Sequence, residues 1–328
     1  MLFTLPPETA HKFTLINLNL LYRLGLTKLL FRNIPYAPCT IMGLNFSNPV
    51  GLAAGMDKDG EYIRSLASLG FGFIEVGTVT PRPQIGNPYP RLFRLPKTQA
   101  IINRMGFNNK GVDNLVTNIQ KANFDGILGV NIGKNADTPL ENAVDDYLFC
   151  LHKIYPHADY VAINISSPNT PELRKLQHEE QLEKLLSALK QAQQQLTEQH
   201  GKYVPIVIKI APDVTTAELD KIIDKLISYS VDGVIGTNTT TSRKGLKNVV
   251  HADEVGGLSG APLSDSATDI IKQLHVRLQG KIPIIAAGGV MSALDAHEKR
   301  LAGANLIQIY TGLIYRGPKL IKEAINSF

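Results

Sequence analysis

Short apolar runs rich in β-branched residues recur from residue 49 onward, and each is followed by a turn and then a helix-like stretch. The runs occupy 50–54, 73–79, 127–132, 160–165, 205–210, 233–237, 283–287 and 306–310. Near-continuous apolar runs of this length mark strands buried on both faces, as in a parallel sheet. Between them lie helical patterns such as 180–199 and 216–228, so the repeating unit is βαβ. Eight such units in about 280 residues match the size and count of an α/β protein of the (β/α)8 TIM-barrel class. A doubly wound sheet is the rival, since periodicity does not show closure. It lacks the expected support: no G-x-G-x-x-G follows the first strand, and Gly133-Lys134-Asn135 lacks the glycine spacing and the Ser/Thr of a Walker loop.

Residues 1–36 differ from the rest and are expected to form a separate N-terminal helical segment ahead of a barrel domain over 37–328. Pro6-Pro7-Glu8-Thr9 reads as a helix start, with an early proline and an acid in the first turn. A leucine-rich run follows over 13–24, and Gly25 is a natural stop. Thr27 is expected to cap a second short helix reaching about Phe31, before Pro35 and Pro38 end it. Lys12, Arg23, Lys28 and Arg32 punctuate the segment with positive charge. Periodicity alone favours packing of these leucines onto the barrel, because apolar helices usually bury their faces.

Composition narrows the function. The net charge is +5 and the pI near 9.0, which favours anionic ligands. The basic residues are dispersed, with no run of five, so nucleic acid is not an expected partner. Cys39 and Cys150 stand far apart without metal-ligand spacing, which argues against disulfides and zinc and fits a reducing cytosol. No stretch of eighteen apolar residues and no secretory leader pattern occurs, so the expected location is the cytoplasm, free or against a membrane face.

In a barrel the strand C-termini build the active site. Read in order, they offer Ala54 to Lys58, Gly77 to Thr80, Asn131 to Lys134, Asn164 to Asn169, Lys209, Thr237 to Thr239, Gly288-Gly289 and Tyr310 to Gly312. The set is rich in amides and hydroxyls, with Asp57 its one carboxylate and no histidine or cysteine. It suits neither a metal nor a Ser-His-Asp triad. Amides and hydroxyls suit a planar, heteroatom-rich ligand held by many directed hydrogen bonds, and lysine adds a point charge for an anion. Gly288-Gly289 beside Thr311-Gly312 favours a phosphate site over a merely tight turn. Asn164-Ile-Ser-Ser-Pro-Asn-Thr-Pro, stiffened by two prolines, would pass for an ordinary turn were amides not converging from four strand ends.

Gly-Leu-Ala-Ala-Gly-Met-Asp-Lys (51–58), Gly-Thr-Val-Thr-Pro-Arg-Pro (77–83), Asn-Arg-Met-Gly-Phe-Asn-Asn (103–109), Asn-Ile-Ser-Ser-Pro-Asn-Thr-Pro (164–171), Lys-Ile-Ala-Pro-Asp (209–213), Thr-Asn-Thr-Thr (237–240) and Gly-Gly-Leu-Ser-Gly (256–260) together resemble the class 2, quinone-dependent dihydroorotate dehydrogenases. The resemblance runs from about residue 5 to the C-terminus. It implies oxidation of dihydroorotate to orotate in pyrimidine biosynthesis, with FMN in the barrel mouth. By position it implies flavin contacts at Ala54, Gly55, Met56, Asp57, Lys58, Thr78, Asn131, Asn164, Lys209, Thr237, Gly260, Gly289, Tyr310 and Thr311. It implies a dihydroorotate site at Lys58, Asn103, Arg104, Met105, Gly106, Phe107, Asn164, Asn169, Asn238 and Thr239.

Ser167 occupies the family's base position, where it would take a proton from C5 while C6 gives a hydride to FMN; soluble class 1 members carry cysteine there. A serine hydroxyl is a weak acid at neutral pH, so a relay or a nearby cation such as Lys58 is expected to assist it. The resemblance also reverses the reading of the first 36 residues, which become a peripheral membrane surface and a quinone route, with His11, Arg94 and Tyr310 near the quinone. A monomer on the cytoplasmic face of the cell membrane is expected, with no metal. The rivals are another FMN barrel served by NAD(P)H and a non-catalytic flavin or phosphate binder. The stretches 243–255 and 169–177 are candidate lids.

Overall fold

A computed structural model describes residues 2–31 and 33–328; Met1 and the expected surface cation Arg32 lie outside the described residues. All eight apolar runs are strands of one closed parallel barrel: β1 Val50–Leu52, β2 Phe73–Val79, β3 Ile127–Ile132, β4 Tyr160–Asn164, β5 Ile206–Ile210, β6 Gly233–Gly236, β7 Ile284–Ala287 and β8 Leu306–Ile309. Neighbours pair in chain order and β8 closes onto β1. Helices wrap the outside. The helix Glu179–His200 ends on left-handed Gly201, and Thr216–Ser228 starts with a capping box between Thr215 and Glu218.

Strand parity sorts the side chains. On β2, Ile74 and Val76 join the outer core between strands and helices, while Phe73 joins the cluster inside the barrel. On β4, Val161 and Ile163 face out and Tyr160 and Ala162 face in; on β5, Ile206 and Ile208 face out and Val207 faces in. The next inward positions toward the strand C-termini are polar: Glu75, Asn131, Asn164, Lys209 and Gln308, all buried. The barrel interior is therefore apolar at one end and polar at the other. An antiparallel hairpin, Cys39–Ile41 with Leu44–Phe46, packs on the apolar end. There Phe46, Phe73 and Tyr160 meet edge to face, with centroids 5.2 and 6.3 Å apart. The rings fit because Gly51 and Gly129 oppose them: a Cβ would come within 2.2 Å of the Phe73 ring or 2.1 Å of Tyr160 Cζ.

The N-terminal helix α1 spans Pro7–Arg23 with proline at its first turn. It ends in a Schellman turn: Gly25, at φ +73°, donates its N–H to Tyr22, and Leu26 donates to Leu21. The expected cap at Thr27 is corrected. Thr27 is the first residue of the short helix Thr27–Leu30, Leu26 holds the N-cap position in helical geometry, and the buried Thr27 hydroxyl has no hydrogen-bond partner among the described residues. The Schellman turn feeds straight into the next helical turn, so no extended residue is left to present a capping oxygen.

Replacing Gly129 with alanine should destabilise the protein by about 1–3 kcal/mol through overpacking against Tyr160. Urea denaturation checks this, and unchanged stability would show that the ring yields freely.

Candidate functional site

A cavity of about 810 Å³ opens at the polar end of the barrel. Its walls come from the strand ends, from the antiparallel strands Leu92–Leu95, Ala100–Asn103 and Gly257–Gly260, and from α1 through Glu8, His11, Lys12, Leu15 and Ile16. Of the residues singled out in the sequence, Ala54, Gly55, Met56, Asp57, Lys58, Thr78, Asn164, Lys209, Thr237, Gly260, Gly289, Tyr310 and Thr311 line it together. Asn103, Met105, Gly106, Phe107, Ser167, Asn169, Asn238, Thr239 and His11 line it too.

Three do not. Asn131 is buried directly behind the wall as a supporting amide. Arg104 follows inward-facing Asn103 on its strand and turns out, pairing with Glu254 at 2.8 Å and stacking on Phe93. Arg94 grips the Leu5 carbonyl and lies over the Phe3 ring, so it fastens the N-terminal residues rather than bordering the cavity.

Behind the wall the polar side chains form a ladder. Thr78 Oγ1 donates to Asn131 Oδ1 at 2.5 Å, and Asn164 Nδ2 donates to Thr78 Oγ1 at 2.9 Å. Asn238 Nδ2 donates to Asn164 Oδ1 at 3.1 Å and to Ser166 Oγ at 3.0 Å, and Ser166 donates on to the Lys209 carbonyl. Asn169 Nδ2 donates to Asn103 Oδ1 at 3.1 Å. Fixing each amide in this way decides which of its ends faces the cavity.

Ser167 Oγ accepts the Asn169 N–H at 3.3 Å and has no hydrogen bond to Lys58. Its loop is anchored by Arg174, which donates to the Ser166 and Thr239 carbonyls and pairs with Asp213 at 2.8 Å. Of the two candidate lids, 169–177 carries this anchor, and 243–255 is held by Arg243 on the Glu254 and Gly256 carbonyls.

Two cations stand in the wall without a direct ion pair. Among the described residues, neither the Lys58 nor the Lys209 ammonium makes a hydrogen bond or ion pair. Burial lowers both, Lys58 to about 8. Asp57 does not neutralise its neighbour: its carboxylate accepts the Glu61 and Tyr62 N–H groups, and burial raises it to about 6. Buried Asn108 Oδ1 and Gln308 Oε1, both on cavity-lining residues, find no donor. Gly289 lets the backbone approach closely, at φ +75° with a Cβ position 2.2 Å from Ser264 Cα.

Among the buried charges that the sequence reading missed, Glu75 and Arg91 bear on the site. Glu75 lies inside the barrel, and Arg91, 4% exposed, makes a two-pronged pair with Glu8 of α1 at 2.9 and 3.1 Å. A carboxylate in the apolar run Phe-Ile-Glu-Val was a visible signal for the first; nothing local marked the second, whose partner is 83 residues away.

The family model for dihydroorotate dehydrogenase matches residues 36–328. The dihydroorotate dehydrogenase (quinone) of Nitrosomonas eutropha is 60% identical over 323 residues, covering 98% of this chain and 94% of that protein. That of Serratia proteamaculans is 55% identical, covering 99% and 97%. The solved structure of DHODH from Eimeria tenella in complex with ferulenol superposes with a TM-score of 0.88 at 38% identity, over 98% of this chain and 90% of that one.

His11 tests the burial of α1. Burial, with the Lys58 charge, lowers it from 6.5 to about 4. As pH falls from 6.5 to about 4, the unfolded chain binds a proton that the folded chain refuses, so stability declines across that window. A His11→Gln variant should show a shallower decline in urea unfolding against pH; an unaltered slope would place His11 in water.

Proposed function

This chain belongs to the dihydroorotate dehydrogenase family, and from that premise we propose that it oxidises dihydroorotate to orotate in pyrimidine biosynthesis, using FMN in the barrel-mouth cavity and a membrane quinone as electron acceptor. The observation that carries this reading is the meeting of two unpaired lysines with an ordered set of amides in one cavity.

The residues fit FMN. Lys209, which makes no direct ion pair, suits a ring that gains negative charge on reduction; Thr78, Asn164 and Thr237 offer directed hydrogen bonds. Gly260, Gly289 and Thr311 form a close-approach surface for phosphate, and Ser259 Oγ is 2.8 Å from Thr311 Oγ1. Ala54, Gly55, Met56, Asp57, Lys58 and Tyr310 would complete the holding set, with Asn131 acting from behind. When bound, FMN supplies the two-electron acceptor that takes hydride from substrate and passes electrons to quinone.

Dihydroorotate would lie against Lys58, Asn103, Asn164, Asn169, Asn238 and Thr239, beside Met105, Gly106 and Phe107. Lys58 attracts the carboxylate, and the amides match the ring's carbonyl and N–H edges. Ser167 Oγ would take the C5 proton as its own hydroxyl proton passes to solvent through the cavity, and the Asn169 N–H it accepts steadies the charge that builds on that oxygen. Arg104 contributes by holding Glu254 rather than by touching substrate.

The N-terminal 36 residues serve as the membrane and quinone segment ahead of the catalytic domain. Ala10 and Leu15 pack inward, while Phe13, Ile16, Leu20, Leu24, Leu26, Leu29 and Leu30 are each at least 40% exposed. Lys12, Arg23 and Lys28 flank that apolar surface, a combination suited to the interface of anionic lipid. No helix among the described residues is long and apolar enough to cross a membrane. A monomer bound peripherally at the cytoplasmic face fits this arrangement. Quinone would enter between α1 and the barrel toward Tyr310, past neutral His11, with Arg94 fixing the segment's start.

Purified protein should be yellow and bleach anaerobically with dihydroorotate but not with NADPH. Bleaching by NADPH alone would favour a pyridine-nucleotide-linked flavoenzyme, and a stable yellow colour a mere binder. Ser167→Ala should keep the flavin and slow its reduction by about 10²–10⁴; near-normal stopped-flow bleaching would remove Ser167 from the mechanism. A Leu20→Glu, Leu29→Glu variant should lose at least about tenfold in binding to anionic vesicles, since burying one leucine is worth about 1.5–3 kcal/mol. Equal sedimentation of the variant and the parent protein would show that the exposed leucines do not meet lipid.

A further inference from the structure

Glu75 stands in the middle of β2, fully buried and facing the barrel interior. A carboxylate there has lost its water, and a fold keeps one only with strong compensation. Its partners are three neutral donors. Asn131 Nδ2 donates to Oε1 at 2.9 Å; Tyr160 OH and Gln308 Nε2 donate to Oε2 at 2.8 and 2.6 Å.

The orientation of Gln308 is informative. It turns its NH₂ toward Glu75 and leaves its own Oε1 buried without a donor. All three groups donate to Glu75 and both of its oxygens accept, the pattern a carboxylate makes. Gln308 also lines the cavity floor. Glu75 and Lys209 are both buried in the barrel interior, on β2 and β5, where the carboxylate favours the ammonium through space. Asn131, held by Glu75, in turn orients Thr78 and Asn164 on the cavity wall.

We propose that Glu75 is a positioning residue and the counter-charge of Lys209: it fixes the Asn131 and Gln308 amides and offsets the floor's cation, holding the reduction potential of bound FMN below the value Lys209 alone would set. This rests on the FMN reading above. Reduction adds negative charge to the flavin, so a buried carboxylate in the floor opposes it and Lys209 favours it. Removing one unit charge about 10 Å away, at an effective dielectric constant of about 20, changes the equilibrium roughly tenfold. For a two-electron couple that is about 30 mV.

The test is an anaerobic, dye-referenced titration of holoenzyme. Glu75→Gln is nearly isosteric and, with an amide flip of Gln308, keeps the contacts to Asn131 and Gln308 while the Tyr160 hydroxyl must turn its proton away, so the main change is the charge. Its potential should rise by the roughly tenfold equivalent, while Glu75→Asp, which keeps the charge, should stay near the parent value. Equal potentials in parent and Glu75→Gln, or a fall in the latter, overturn the proposal. Should Glu75→Gln not fold while Glu75→Asp does, the infrared difference between parent and Glu75→Asp decides. Shifted ionised-carboxylate bands support the proposal, and a shifted protonated-carboxyl band sinks it. If neither variant folds with flavin, Glu75 is only a packing requirement and the proposal fails. A parent protein without FMN would fail the cofactor reading instead, a separate outcome seen before any titration.

Discussion

Closure of the barrel is the constraint from which the site follows. In a closed parallel sheet every strand residue points either to the helices or to the interior, and a shift of one position would exchange the two sets. Phe73, Tyr160, Val207 and Leu306 share their inward parity with Glu75, Asn164, Lys209 and Gln308 farther along the same strands. The rings at one end pack against glycine and the hairpin, which fixes the register. That same register delivers the amides and the lysine to the other end. Packing at the floor of the barrel and chemistry at its mouth are thus two consequences of one alternation.

The fold was legible for a local reason. Strands buried on both faces need apolar side chains nearly throughout, so eight such runs stand out against helices with a polar face. The gathered strand-end residues were legible by the same logic, since Lys58, Asn164, Lys209 and Asn238 follow directly on those runs. What escaped depends on distance or direction. Glu8 and Arg91 are 83 positions apart, and nothing near either residue announces the other. Arg104 adjoins Asn103, yet one step along an extended strand reverses its direction. Thr27 failed as a cap because a Schellman turn precedes it, and whether a chain leaves a helix extended or continues turning is set by only two or three residues.

Energetically the cavity is built against stability. Two ammonium groups without a direct ion pair, and buried amide oxygens without donors among the described residues, each carry a desolvation cost that a folding-optimised interior would avoid. Sites where several local rules are broken together are where function is expected. The outer core between strands and helices is by contrast almost wholly apolar and buried. A ligand with anionic groups and hydrogen-bond donors would relieve these costs, which makes binding and stability coupled quantities here.

The N-terminal segment meets opposing demands with one helix. Its inner face must hold to the barrel to wall the cavity, and Arg91 with Glu8 supplies a directional tie that apolar contact alone would not. Its outer face leaves Phe13, Ile16 and Leu20 exposed, and Leu24, Leu26, Leu29 and Leu30 beyond it extend that apolar surface. Burying both faces against the barrel would need a second layer of structure, which the short Thr27–Leu30 helix does not provide. The segment therefore remains half docked and half presented, and the ion pair keeps its inner half in place whatever meets its outer half. That division explains how a surface suited to lipid can border a polar cavity without collapsing into it.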